Sequence, residues 1–270
     1  MTPPDRRAER AAAKRRKDRR TAAIAAVSTI LVLGGLVALV LTSPGWPDVR
    51  ETFFDADYFA ETFPDIARAF WLDIRVFVVV EIAVLILGLG LALTRTSSSP
   101  GLFPLRLLAA VYTDLFRGVP VILVVYLMGF GIPALGVNVE AVILGGIGLT
   151  LCYTAYVAEV YRAGLKSVRP TQREAALAVG LNERQAMRHV VLPQAVRNVG
   201  PPLLNDFISL QKDVALLAII GVTGEAFREA QIFASTDFDY TPLLGAALLY
   251  LAVTVPMARL LDVWERRQDR

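Results

Sequence analysis

Long apolar runs set the pattern of this chain, and a single polar stretch of some length interrupts it between two of them. A helix needs about 20 mostly apolar residues to cross a bilayer. Six segments satisfy this: 22–41, 70–93, 104–130, 139–161, 201–222 and 241–261. The first carries no charge. The second contains Asp73, Arg75 and Glu81, and the fifth contains Asp206, Lys212 and Asp213. The pattern predicts an all-α, polytopic membrane protein with six transmembrane helices. Composition agrees: 55% of the 270 residues are apolar, and the mean hydropathy is +0.51, beyond the range of ordinary soluble domains.

Charge orients the spans. Lys and Arg collect in loops on the cytoplasmic side. Segments 1–20, 94–106, 162–200 and 259–270 hold 22 of the 28 basic residues, against three in the loops on the other side. Both termini and the polar stretch 162–200 are therefore expected in the cytoplasm. The apolar run 22–41 exceeds the ~7–15 residues of a signal-peptide core, and no small-x-small site follows it, so it is expected to remain as an anchor. The acidic, aromatic segment 42–69 is expected at the outer membrane surface, and the basic run 1–21 beside anionic headgroups. Cys152 is the sole cysteine. It can form no internal disulfide and is expected to be a small packing residue. No metal cluster is visible, and His189, the one histidine, has no nucleophile or acid arranged around it.

The polar stretch reads EAALAVGLNERQAMRHVVLPQA at 174–195. Pro170 opens a helix in which Thr171 and Glu174 have capping-box spacing. Gly180 stands where a left-handed C-terminal cap belongs. Asn182 and Gln185 repeat the capping spacing for a second helix, which Pro193 is expected to end near Val191 or Leu192. The prediction is helix, glycine turn, helix. Gln172, Ala175, Ala176 and Val179 share one face of the first helix, and the paired alanines leave it flat. Such a face suits the groove of a partner protein or the membrane surface, and the residues alone leave both open. The stretch also has the look of a DNA-binding helix-turn-helix, with Arg184, Arg188 and His189 on the reading helix. Short connections to the bilayer count against that, because a duplex would have to lie against the headgroups.

At this point the chain resembles a known family. Glu174-Ala175-Ala176, three residues, Gly180, nine residues, Val190, one residue, Leu192-Pro193 is similar to the EAA motif of the permease subunits of ATP-binding-cassette importers, with Val for Ile. FRGVP at 116–120, AYVAEVYRAG at 155–164 and PPLLNDFISLQKDVAL at 201–216 resemble segments of the branch for polar amino acids, and Glu225 matches a Glu of that branch. The resemblance covers about 66–265. It implies a five-helix permease core at 70–265, preceded by a basic tail at 1–21, an anchor at 22–41 and an extracytoplasmic linker at 42–69, and followed by a cytoplasmic tail at 266–270. The anchor and core together account for the six helices. It also implies a multi-pass protein of a prokaryotic inner or plasma membrane. Two permeases, this chain with itself or with a paralogue, would enclose a path. An ATPase dimer would dock on the loops through Glu174, Ala175, Ala176, Gly180, Leu192 and Pro193. An extracytoplasmic binding protein would deliver the amino acid, with glutamate or glutamine favoured.

The residues support the need for a separate engine. A phosphate-binding loop places Lys directly after Gly, and none of Lys14, Lys17, Lys166 and Lys212 follows a glycine. The expectation is a non-catalytic subunit with no cofactor, no metal and no nucleic-acid partner. Ionisable groups inside a span are costly and mark either function or pairing. Glu81, Arg117, Glu159, Lys212 and Asp213 are the candidates for the path or its gate. Glu159 and Arg162 have i,i+3 spacing and are expected to pair. Asp73 and Arg75 lie near a span end, where snorkelling makes charge cheap. An ion-coupled transporter built on Glu81, Lys212 and Asp213 is the main alternative.

Overall fold

The computed structural model describes residues 6–97 and 99–268. Helix dominates, and no strand occurs among the described residues. The protein is an all-α, polytopic membrane protein. Two compact units divide at residues 55 and 56.

The first unit holds α1 (Arg6–Leu41) and α2 (Trp46–Phe53). The basic run continues without a break into the apolar stretch of α1, whose side chains from Ile24 to Leu41 are exposed. Pro47 opens α2 in the first helical turn, where its missing N–H removes nothing from the ladder. The rings of Trp46 and Phe54 stand 6.1 Å apart.

The second unit begins with α3 (Ala56–Thr96), a 41-residue helix that contains the predicted second span. Next come α4 (Phe103–Gly118) and α5 (Val121–Tyr126), the latter continued by a π-helical turn at Leu127–Gly131 and by α6 (Ile132–Ala134). The direction changes by 103° between Pro100–Gly118 and Val121–Ala134. The cause is local: Pro120 pushes Val119 into extended backbone (φ −95°, ψ 133°), which ends the helix before it. Helix α7 (Ala141–Ser167) follows, then the hairpin helices α8 (Pro170–Ala178) and α9 (Glu183–Ala186). The chain then runs through α10 (Leu192–Asp213), a 3₁₀ stretch at Val214–Ile220, α11 (Ala226–Asp237) and α12 (Thr241–Gln268).

Among the described residues, four helices are long and apolar enough to cross a membrane, and the bent α4–α6 pair makes a fifth crossing if it counts as one. Segment 201–222, expected as a span, is not among them. Its residues divide between the polar α10, with Arg197, Asp206, Lys212 and Asp213, and the 3₁₀ stretch.

The core joins α3, α5, α7, the end of α10 and the 3₁₀ stretch. Val84, Val125, Leu149, Cys152, Leu210, Val214 and Leu217 are fully buried in it. Cys152 is a packed free thiol, as expected. Inside a bilayer such helices are held by close van der Waals packing, which small residues permit. Gly164 shows why. A β-carbon there would lie 2.0 Å from Cγ2 of Val199 on α10. Gly164→Ala is expected to lower stability by about 1–3 kcal/mol through overpacking. Thermal unfolding in detergent measures this, and Val199→Ala in the same chain should recover part of the loss.

Candidate functional site

The hairpin is built by local capping. Helix α8 ends in a left-handed glycine: Gly180 has φ +93°. Its N–H donates to the carbonyl of Leu177 at 3.0 Å, and that of Leu181 donates to Ala176 at 3.2 Å. These two bonds form a Schellman motif, which satisfies carbonyls left open at the helix end. Asn182 then opens α9 with a complete capping box. Gln185 N–H donates to Asn182 Oδ1, and Asn182 N–H donates to Gln185 Oε1, both at 2.9 Å. An ion pair between Arg173 and Glu183 ties the two helices across the turn.

Two local expectations fail. Arg169 stands at the N-cap of α8 with no side-chain cap, and Pro170 fills the first turn, so Thr171 lies inside the helix rather than at its cap. Pro193 does not end the second helix either. A π-helical turn at Met187–Val191 carries α9 into α10, and Pro193 falls in the first turn of α10, where its N–H is not required.

Glu174, Ala175 and Gly180 are exposed on the hairpin, as are Gln172 and Val179. Ala176 instead turns inward and is 5% exposed. Below the hairpin, Val168, Val191 and Ala195 form a small buried cluster. Leu192 and Pro193 lie outside that cluster and are exposed at the head of α10.

The five charged candidates separate into groups. Glu159 joins two helix ends. Its carboxylate accepts from Arg162 (Nε–Oε2 2.8 Å), as the spacing predicted, and from Arg95 at the end of α3 (3.2 Å). Asp213 accepts from the Tyr153 hydroxyl at 2.9 Å, and the adjacent Lys212 is exposed. Glu81 is 8% exposed, and the charge acting on it is the carboxylate of Asp206 on α10. Arg117, exposed in the last turn of α4, acts electrostatically on both Asp206 and Glu159. Glu81, Asp206 and Arg117 thus form one electrostatic neighbourhood drawn from three helices.

A further constellation departs from the sequence pattern. Asp73 does not snorkel: it is 2% exposed, and the Tyr250 hydroxyl lies 2.9 Å from its Oδ2. The same hydroxyl lies 3.0 Å from Glu225, which is 0% exposed. Glu225 is the N-cap of α11 and accepts from the N–H groups of Phe227 (2.9 Å) and Arg228 (2.7 Å). Burial pushes the Glu225 carboxyl above its ordinary range, against the opposing effect of these bonds. The cap is foreshadowed by Glu225 standing just before a helical run. Its meeting with Asp73, 152 positions away in the chain, has no local signal.

Residues 84–270 match the family described as the inner membrane component of binding-protein-dependent transport systems. The chain belongs to this family. One relative, "Probable glutamine ABC transporter permease protein GlnM" of Bacillus subtilis, is 32% identical over 62% of this chain and 77% of its own length. The arginine transport system permease protein ArtQ of the same organism is also 32% identical, over 61% of this chain and 75% of its own. Among solved structures, the crystal structure of an amino acid ABC transporter with histidines aligns at a TM-score of 0.72 and 31% identity, over 79% of this chain and 98% of that one. An inward-facing form of the MetNI methionine ABC transporter shares the fold at a TM-score of 0.58 and 18% identity.

Proposed function

We propose that the chain is the permease subunit of an ATP-driven importer for a polar amino acid, of the glutamate or glutamine type. The observation that carries this reading is the capped hairpin at 170–191. It presents Glu174, Ala175 and Gly180 to solvent on a rigid pair of short helices, while its buried face continues through the π-helical turn into α10. A push on the hairpin would therefore reach Asp206, Lys212 and Asp213 along one connected element. An ATPase dimer docks on the hairpins of two permeases, hydrolyses the ATP, and leaves this chain non-catalytic. An extracytoplasmic binding protein supplies the amino acid. The family and its bacterial relatives support a prokaryotic cell membrane, the basic-residue bias supports both termini in the cytoplasm, and the apolar runs support 1–21 as tail, 22–41 as anchor, 42–69 as outer linker, 70–265 as core and 266–270 as tail. The name of the GlnM relative supports the glutamine-type substrate.

In this reading Glu81 and Asp206 meet the ammonium of the passing amino acid, and Arg117 meets its carboxylate. Two facing carboxylates, Glu81 buried and Asp206 half-buried, are costly without a cation between them, and a cationic group in transit relieves the repulsion. Glu159 plays a different part. Held by Arg95 and Arg162, it fastens α3 to α7. Glu81→Gln and Asp206→Asn are each expected to raise the KM of uptake about tenfold, the weight of one charge-assisted contact, with assembly unchanged. Radiolabelled uptake over a panel of amino acids in proteoliposomes with the cognate ATPase and binding protein tests both substrate and site. Unchanged KM in both variants would remove these residues from the path.

A further inference from the structure

The cluster of Asp73, Glu225 and Tyr250 poses a counting problem. Three elements meet there: α3 through Asp73, the head of α11 through Glu225, and α12 through Tyr250. The Tyr250 hydroxyl stands at hydrogen-bond distance from both carboxyl groups, 2.9 Å from Asp73 Oδ2 and 3.0 Å from Glu225 Oε1. A phenol carries one proton, so it donates to one of them only. With both carboxylates ionised, one of these two contacts would be lone pair against lone pair, in a site shut off from water. No Lys or Arg among the described residues forms an ion pair with either group.

The surroundings decide which group is ionised. Glu225 accepts two short backbone N–H bonds, one on each oxygen, at the positive end of α11. From the backbone, Asp73 accepts only a long contact of 3.4 Å from the Ala226 N–H, and its Oδ1 is buried without a hydrogen-bond partner. A proton on Asp73 Oδ2 removes the conflict: the acid donates to the Tyr250 oxygen, and the Tyr250 hydroxyl donates to Glu225 Oε1. Other charged groups stand near the head of α11: Glu229 accepts from the Gly224 N–H, and Arg68 and Arg75 of α3 line the hollow beside Gly224 and Glu229, but the side chains of these residues and of Arg228 make no bond to Asp73 or Glu225. Phe70 packs edge-on against the Tyr250 ring at 5.1 Å and fixes the phenol.

We propose that Asp73 and Glu225 share one proton, with Asp73 as the acid and Glu225 as the carboxylate, and that this proton clasps α11 to α3 and α12. The clasp lies just beyond the 3₁₀ stretch that ends α10, so it fixes the far end of the element that the hairpin begins. Proton loss leaves two buried negative charges facing each other. The clasp is therefore closed while the proton is held and opens as the pH rises. A conformational device of this kind does not depend on which amino acid is carried.

Asparagine at 73 is the discriminating change. Its amide donates to the Tyr250 oxygen as the acid does, and it has no proton to lose. Purified full-length chain in lipid nanodiscs is expected to show the infrared carbonyl stretch of a protonated carboxylic acid, lost in Asp73→Asn. In the assembled transporter, Asp73→Asn should retain uptake and hold it to higher pH than the parent. Glu225→Gln should lose most uptake at every pH, because one amide oxygen cannot replace two acceptors at the α11 cap. An acid carbonyl band unchanged by Asp73→Asn, an Asp73→Asn protein that fails to assemble, or identical alkaline profiles for parent and variant would overturn the proposal.

Discussion

Gly180→Arg is expected to abolish coupled uptake while the permease still folds and inserts. Gly180 occupies φ +93°, backbone that a residue with a β-carbon adopts only at a cost of about 1–2 kcal/mol. That strain falls on the Schellman bonds of Gly180 and Leu181, and so on the angle between α8 and α9. A bulky cation is added to the surface proposed for the ATPase. The membrane core does not depend on this residue: nothing lies within 4 Å of the place where its β-carbon would stand. Expression and detergent melting should therefore match the parent, while amino-acid-stimulated ATP hydrolysis falls to the basal rate of the ATPase. Hydrolysis that stays stimulated in the variant would remove the hairpin from coupling.

The largest loss of stability is expected at Leu217. It is 0% exposed in the 3₁₀ stretch and packs directly over Gly145 of α7, where a β-carbon would lie 2.8 Å from its Cγ. Leu217→Ala opens a cavity that the 3₁₀ stretch and α7 can close only by moving together. A loss of about 2–5 kcal/mol follows from burials of this kind, read as a lower midpoint of thermal unfolding in detergent. A shift near zero would mean that the stretch is free to collapse onto α7, and hence that it is not a fixed part of the core.

Features with a local cause are legible in the sequence. The apolar runs point directly to α1, α3, α7 and α12. The Gly180 turn and the Asn182–Gln185 box follow from spacing alone, because each closes within a few residues. The pairing of Glu159 with Arg162 is equally local, whereas the third member, Arg95, lies 64 positions away. Segment 201–222 misleads because its apolar content hides a polar helix joined to a 3₁₀ stretch. Pro193 misleads because a wide π-helical turn absorbs a proline that would otherwise stop a helix. The Asp73–Glu225–Tyr250 cluster is out of reach, since α3 must first fold against α11 and α12 to bring its members together. Charge near a span end looks cheap in sequence, and only packing shows that Asp73 never reaches water.

If ATP hydrolysis by a partner drives this chain through its hairpin, uptake must depend on both. The decisive measurement is uptake by proteoliposomes holding the permease and its ATPase, with binding protein outside and ATP inside. Amino-acid accumulation is expected to require ATP, to persist when an uncoupler collapses every ion gradient, and to disappear with Gly180→Arg. Accumulation that survives ATP removal and vanishes with the uncoupler would contradict the hairpin mechanism, and would assign Glu81, Lys212 and Asp213 to an ion-coupled transporter instead.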